Sequence, residues 1–136
     1  SQEETSGFGA ATAAFSLAPD MALVVDVTFG DGFGVKSHEC SPLGKGVEID
    51  YAPAVDRRIF DQLRELARRE EIPWQVFVMG SRTGTDTDLI ASSGRGVRCG
   101  LLSIPLRNMH TAVETVAAQD ILDTARLMAA FAREVK

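Results

Sequence analysis

Cysteine is scarce. The 136 residues hold two, Cys40 and Cys99, with no CxxC pair. That spacing excludes a disulfide framework or a cysteine-based zinc knuckle. Cys99 lies inside an apolar run and reads as a small buried hydrophobe, while Cys40 falls in a polar loop. A reducing cytoplasm is the expected compartment. Positive charge is also in deficit: 14 Lys and Arg stand against 19 Asp and Glu, a net charge of −5. Phosphate binding needs a basic face, so nucleic acid is excluded as the main partner. No apolar stretch approaches the ~20 residues of a membrane span. No basic segment followed by an apolar one opens the sequence, so no signal peptide is expected. Beyond phenylalanine the only aromatic residues are Trp74 and Tyr51, few for a sugar-stacking platform.

What is present is a core. A hydrophobic fraction of 45% in a chain of this length excludes disorder and suits one domain over residues 1–136. Strand-like and helix-like patterns alternate, which predicts a layered α/β fold, a sheet with flanking helices. Residues 9–17 read as a short Ala-rich helix. Met21–Val27 is a continuous apolar run, the pattern of a buried strand. Residues 29–46 hold five glycines and Pro42, and a connection this long is often functional. Residues 47–49 suit a short strand. Residues 54–69 form the clearest helix, with Val55, Ile59, Leu63, Leu66 and Ala67 in one stripe and a Glu65–Arg69 pair outside it. Residues 74–78 alternate like a strand. Thr85 with Asp88 three residues later suggests a capped short helix closed by Gly94. Residues 97–104 suit the last strand. A final helix over 121–131 is expected to bury Ile121, Leu122, Ala125, Met128 and Ala129.

Four residues carry the candidate chemistry. Glu3 and Glu4 are adjacent, Asp26 closes the run Met-Ala-Leu-Val-Val-Asp, and His110 follows the last strand. Three carboxylates and an imidazole are the ligand chemistry of a hydrolytic di-metal site, in which one carboxylate moves protons. On an extended segment Glu3 and Glu4 would point opposite ways and take separate roles. A solvated acidic terminus is the plainer reading of that pair. Asp26, isolated among apolar residues, needs a partner or a metal. His38, in His-Glu-Cys, has no defensible metal spacing, and position after a buried strand favours His110. Neither histidine belongs to HExxH. Asp26, Asp86 with Asp88, and His110 each follow a strand, and ligands bind outside the carboxyl ends of strands in open α/β sheets. Gly80 to Asp88 looks like a phosphate cradle but lacks GxxxxGK[ST], and its acids repel phosphate. It reads more simply as a turn and capped helix lining a pocket. Arg107 suits either a substrate carboxylate or a surface salt bridge.

Gln-Glu-Glu at 2–4, Val-Asp-Val-Thr at 25–28, His-Glu-Cys-Ser-Pro-Leu-Gly-Lys-Gly at 38–46, Gly-Thr-Asp at 84–86 and Ser-Ile-Pro-Leu-Arg-Asn-Met-His-Thr at 103–111 resemble, in this order, the M42 metallo-aminopeptidases. This is the glutamyl and tetrahedral aminopeptidase group, some members of which are labelled endoglucanases. The resemblance implies that Glu3 is the general base and acid, and that Glu4, Asp26 and His110 are metal ligands. It implies two divalent ions, zinc or cobalt, peptide substrates cut at the N-terminus, and homo-oligomers such as tetrahedral dodecamers. Arg107, Thr85 and Asp86 are candidate substrate-binding residues, with the loop 30–46 and the turn 80–86 as pocket walls. A further His ligand, a bridging Asp and an inserted dimerisation domain have no counterpart here. The chain is therefore expected to be the C-terminal portion of a catalytic domain with an incomplete site. The rival readings are a non-catalytic fragment or binding module without metal, and a glycoside hydrolase using two carboxylates.

Overall fold

The computed structural model describes residues 2–135. Helices α1 (Phe8–Leu17), α2 (Arg57–Arg69), α3 (Thr87–Ala91) and α4 (Ala118–Glu134) surround strands β1 (Met21–Phe29), β2 (Val47–Tyr51), β3 (Trp74–Val78), β4 (Arg98–Arg107) and β5 (Thr115–Val116). The sheet runs β1-β4-β2-β3, and β5 pairs with the end of β4. β1 is parallel to β4 over nine register pairs, Met21↔Arg98 to Phe29↔Leu106. β2 is antiparallel to β4 and parallel to β3. β1 and β3 are the outer long strands.

The expected elements form at nearly their expected places, with instructive shifts. α2 begins three residues later than the pattern suggested, because Asp56 caps it by accepting from the backbone N–H of Arg58 (2.8 Å) and Ile59 (3.3 Å). Its stripe Ile59, Leu63, Leu66 and Ala67 is buried as expected, and Val55 is buried ahead of it. The Glu65–Arg69 pair does not form. Glu65 holds Arg68 at 2.6 Å, and Arg69 turns to Glu134 of α4. α3 also departs from its capping box: Asp88 accepts from Thr83 and Gly84 N–H, both at 3.1 Å, and the helix ends at Ala91. β4 extends three residues past its expected end, to Arg107.

The buried face of α4 is the clearest correction. Ile121, Leu122 and Met128 are exposed, and the helix instead buries Asp120, Asp123, Thr124, Leu127, Ala130 and Phe131. Polar burial is tolerated here because hydrogen bonds reach every buried side-chain oxygen of these residues except Asp123 Oδ2. Asp120 accepts from the backbone of Gly44 (2.7 Å) and Gly46 (2.9 Å), and Thr124 donates to the Asp120 carbonyl. α4 thereby clamps the approach to β2.

α2 and α4 pack on each other and on the sheet face that carries Val47, Ile49 and Leu102. Ile59 and Leu63 close over Gly100. Side chains alternate along a strand, so the opposite face carries Asp26, Ser103, Glu48 and Gln75 as register partners in one row across four strands. The loop entering α3 rims that face. Among the described residues no helix is long and apolar enough to cross a membrane.

Gly46 adopts φ +93°, and a Cβ there would overlap the Pro73 carbonyl. Gly44 also has positive φ, +73°, but open space around it. Gly46→Ala is therefore expected to cost at least about 2 kcal/mol, strain plus overlap. Gly44→Ala should cost about 1 kcal/mol, the strain alone. Urea midpoints of the two variants measure the difference, and equal losses would contradict the Pro73 contact.

Candidate active-site cleft

Glu3 and Glu4 lie in a turn rather than on an extended segment. The Gln2 carbonyl accepts from the N–H groups of Ser6 (2.9 Å) and Gly7 (2.7 Å), which folds residues 2–7 into a tight loop ahead of α1. Gly7 sits at φ +61°, and a Cβ there would collide with Leu89. Its lack of a side chain seats this loop on α3. Both glutamates consequently face one cleft, so the opposite orientations expected of neighbours in a strand do not apply.

That cleft measures about 360 Å³. Glu3, Glu4, Asp26, Glu39, Thr85 and His110 supply its polar groups, and Phe29, Phe77, Met79 and Met109 its apolar wall. A smaller cavity of about 230 Å³ adjoins it, bounded by the same glutamates with Asp86, Asp88 and Arg82. Glu4 and His110 are in contact, Oε2 to Nε2 at 3.4 Å. His110 sits on the turn after β4 with φ +62°, and its backbone N–H is held by Glu114 at 2.7 Å. Asp26 is half-buried and accepts from the N–H of Val27 (2.8 Å). Thr85 accepts from the N–H of Thr87 (3.1 Å) and shares a hydroxyl chain with Thr83 and Thr87. Asp86 has a buried Oδ1 without a partner.

Two of these carboxyls, Glu3 and Asp26, are raised. Desolvation lifts the Glu3 carboxyl above its ordinary range, the negative charges of Asp26, Glu4 and Asp86 add to the shift, and His110 opposes it. Burial lifts Asp26 as well, with Asp86 and Glu4 contributing and the Val27 N–H opposing. A carboxyl moved upward is better suited to exchanging protons near neutral pH.

Arg107 stands apart from this group. It donates to the Asp31 carbonyl and carboxylate, the latter at 2.7 Å, and so ties the start of the long loop to the end of β4. Leu43 N–H and this guanidinium hold the Asp31 carboxyl below its usual range. His38 is exposed beside Glu39 at 3.6 Å and does not line the cleft.

The donor chemistry suits a hard or borderline divalent ion in part. Glu4 and His110 are adjacent and Asp26 lines the same cleft. Among the described residues, however, no three carboxylate, imidazole or thiol groups stand close enough together to hold an ion by themselves. Glu39, Phe77, Met79 and Met109 were not singled out from the sequence. Only the length of the 29–46 connection pointed toward Glu39.

Sequence reasoning also missed the acids behind the cleft. Glu48 and Asp50 are fully buried on the face that carries Asp26. Ser41 donates to Glu48 Oε2, and Ser103 donates to Asp50 Oδ2 at 2.6 Å. Outside the pair itself, Glu48 Oε1 and Asp50 Oδ1 have no hydrogen-bond partner. Burial pushes Asp50 up to about 9, the charge of Glu48 and a hydrogen bond to it add to this, and the Ser103 hydroxyl opposes it. The native state thus holds a proton that the unfolded chain releases from pH 4 upward. Its stabilising effect is present at low pH and is lost as pH rises toward 9.

The family model described as M42 glutamyl aminopeptidase matches residues 1–127. A lysyl aminopeptidase from Pyrococcus furiosus is 36% identical over 135 residues, which is 99% of this chain and 39% of that protein. The TET aminopeptidase of the marine sediment archaeon Thaumarchaeota archaeon SCGC AB-539-E09 superimposes with a TM-score of 0.90 at 29% identity, over 99% of this chain and 39% of that one. The Pyrococcus horikoshii TET1 peptidase, described as assembling into a tetrahedron or a large octahedral shell, gives 0.74 at 27% identity, over 98% and 39%. The chain therefore spans about two-fifths of the length of these relatives.

Asp50→Asn keeps the shape and removes the titration. In buffer free of divalent cations, wild-type stability should fall relative to this variant by about 1 kcal/mol per pH unit between pH 5 and 9. Denaturant midpoints across that range measure it, and parallel curves for the two proteins would show that Asp50 carries no buried proton.

Proposed function

The chain belongs to the M42 glutamyl aminopeptidase family, and on that premise we propose that it forms the C-terminal portion of an aminopeptidase catalytic domain. The observation that carries the reading is the gathering of Glu3, Glu4, Asp26 and His110 around one cleft from three separate segments.

Glu4, Asp26 and His110 would be this chain's share of the ligands to a divalent metal, zinc or cobalt, with further ligands required beyond them. A bound cation of this kind supplies Lewis acidity, polarising a carbonyl and lowering the pKa of water. Glu3 is the proton carrier. Its raised carboxyl takes the proton of the attacking water and returns it to the departing amine. The surplus of carboxylates, with Asp86 beside Glu3, favours the ammonium of a peptide N-terminus. Phe29, Phe77 and Met79 offer an apolar wall to the first side chain, and Thr85 offers a hydroxyl to the peptide backbone. Arg107 serves the reaction indirectly, by fixing the loop at Asp31. The shells formed by the horikoshii relative support a homo-oligomeric assembly for the whole protein.

The test is Glu3→Gln in the full-length protein, with hydrolysis of aminoacyl p-nitroanilides as readout. The amide keeps the shape and cannot carry the proton, so kcat should fall by about 10²–10⁴. Chelation should abolish the wild-type rate, and zinc or cobalt should restore it. Undiminished turnover by the variant would remove Glu3 from its role.

A further inference from the structure

Glu48 and Asp50 are fully buried, yet neither meets a cationic side chain in any ion pair among the described residues. They stand two residues apart on β2, so both project from the same face. Their neighbours there are oxygen donors too: the hydroxyls of Ser41 and Ser103 reach one oxygen of each carboxyl, and the other oxygen of each is buried with no partner outside the pair. An unpaired buried carboxylate is among the most costly groups a fold can hold.

We propose that Ser41, Glu48, Asp50 and Ser103 form a buried site for one hard divalent cation of the Mg²⁺ or Ca²⁺ class, separate from the cleft. Three observations support this choice of ligand. The donors are two hydroxyl and four carboxylate oxygens, with no nitrogen or sulfur, which selects hard ions over zinc or copper. Two carboxylates balance a double positive charge. Glu48 Oε1 and Asp50 Oδ1, which have no partner outside the pair, are the atoms that a cation would bridge in place of the shared proton. Binding expels the proton held by the pair to solvent, so proton and cation compete for the site. Entry runs past Ser41, which follows the largely exposed loop 31–40 and is the one donor carried outside the sheet strands. The charged group outside the pair that acts on Asp50 is Asp26 of β1, which is also acidic. The inference does not depend on the peptidase reading.

The experiment is thermal unfolding and calorimetric titration of the chain at pH 8 with Mg²⁺, Ca²⁺ and Mn²⁺ in turn. Wild type should bind one ion with a rise in Tm and release of about one proton. The double variant Asp26→Asn with His110→Ala, which strips the cleft of donors, should retain this binding. Glu48→Gln should lose it. Ser103→Ala keeps both charges and both acids, and should weaken binding by at least about tenfold; it decides the matter if Glu48→Gln does not fold. No stabilisation of wild type by any of the three ions would overturn the proposal. So would binding that survives Ser103→Ala and Glu48→Gln unchanged but disappears from the cleft variant.

Discussion

A single row of polar side chains crosses the interior of this sheet: Asp26 on β1, Ser103 on β4, Glu48 on β2 and Gln75 on β3. The backbone ladders place the four residues in register, so none can leave the row without breaking a strand pair. Each member is held in its own way, though Glu48 keeps one oxygen without a partner outside the acid pair. Gln75 donates to the carbonyls of Pro42 and Gly46, both at 3.1 Å, which draws the end of the long loop against β3. Ser103 bridges to Asp50, and Ser41 closes over Glu48. Asp26, at the outer strand, is left to open into the cleft. The row thus links the loop, the buried acids and the candidate active site through one set of strand pairings.

The loop between β1 and β2 gains its shape from the helices and strands around it. Asp120 of α4 holds Gly44 and Gly46, Arg107 of β4 holds Asp31, and Gln75 holds Pro42 and Gly46. These anchors come from residues 29 to 76 positions away along the chain. They put Glu39 at the cleft and Ser41 over Glu48. The opposite wall is built by the seating of the 2–7 turn on α3, which depends on Gly7 and aims Glu3 and Glu4 at Asp26 and His110. Cleft geometry is therefore a consequence of two packing events, one at each side of the sheet edge carried by β1.

Much of this was readable in the letters. The strands at 21–27 and 74–78 and the stripe of α2 follow from apolar patterning, but the burial expected of the first strand does not hold: β1 lies at the sheet edge, only Val24 in it is buried, and Val27 and Phe29 are exposed. Where the core is met with polar atoms, periodicity misleads. In α4 the apolar residues Ile121, Leu122 and Met128 face outward, and Asp120, Asp123 and Thr124 face inward, held by hydrogen bonds to distant backbone and to neighbours on the helix. The Glu65–Arg69 pair failed for a related reason: Glu134 of α4 offers Arg69 a partner that no local spacing reveals.

By itself the chain's order of residues determined the element types, the acidic bias of the site and the family motifs, since local propensity, charge and short patterns act between near neighbours. Only tertiary structure decided that Val-Glu-Ile-Asp-Tyr, whose alternation suits a half-solvated strand, would be enclosed on both faces. The same holds for the neighbours that Asp26 and Glu4 acquired. Burial and register are properties of strands brought together from far apart, and they alone decide whether a carboxylate meets water, a proton or another acid.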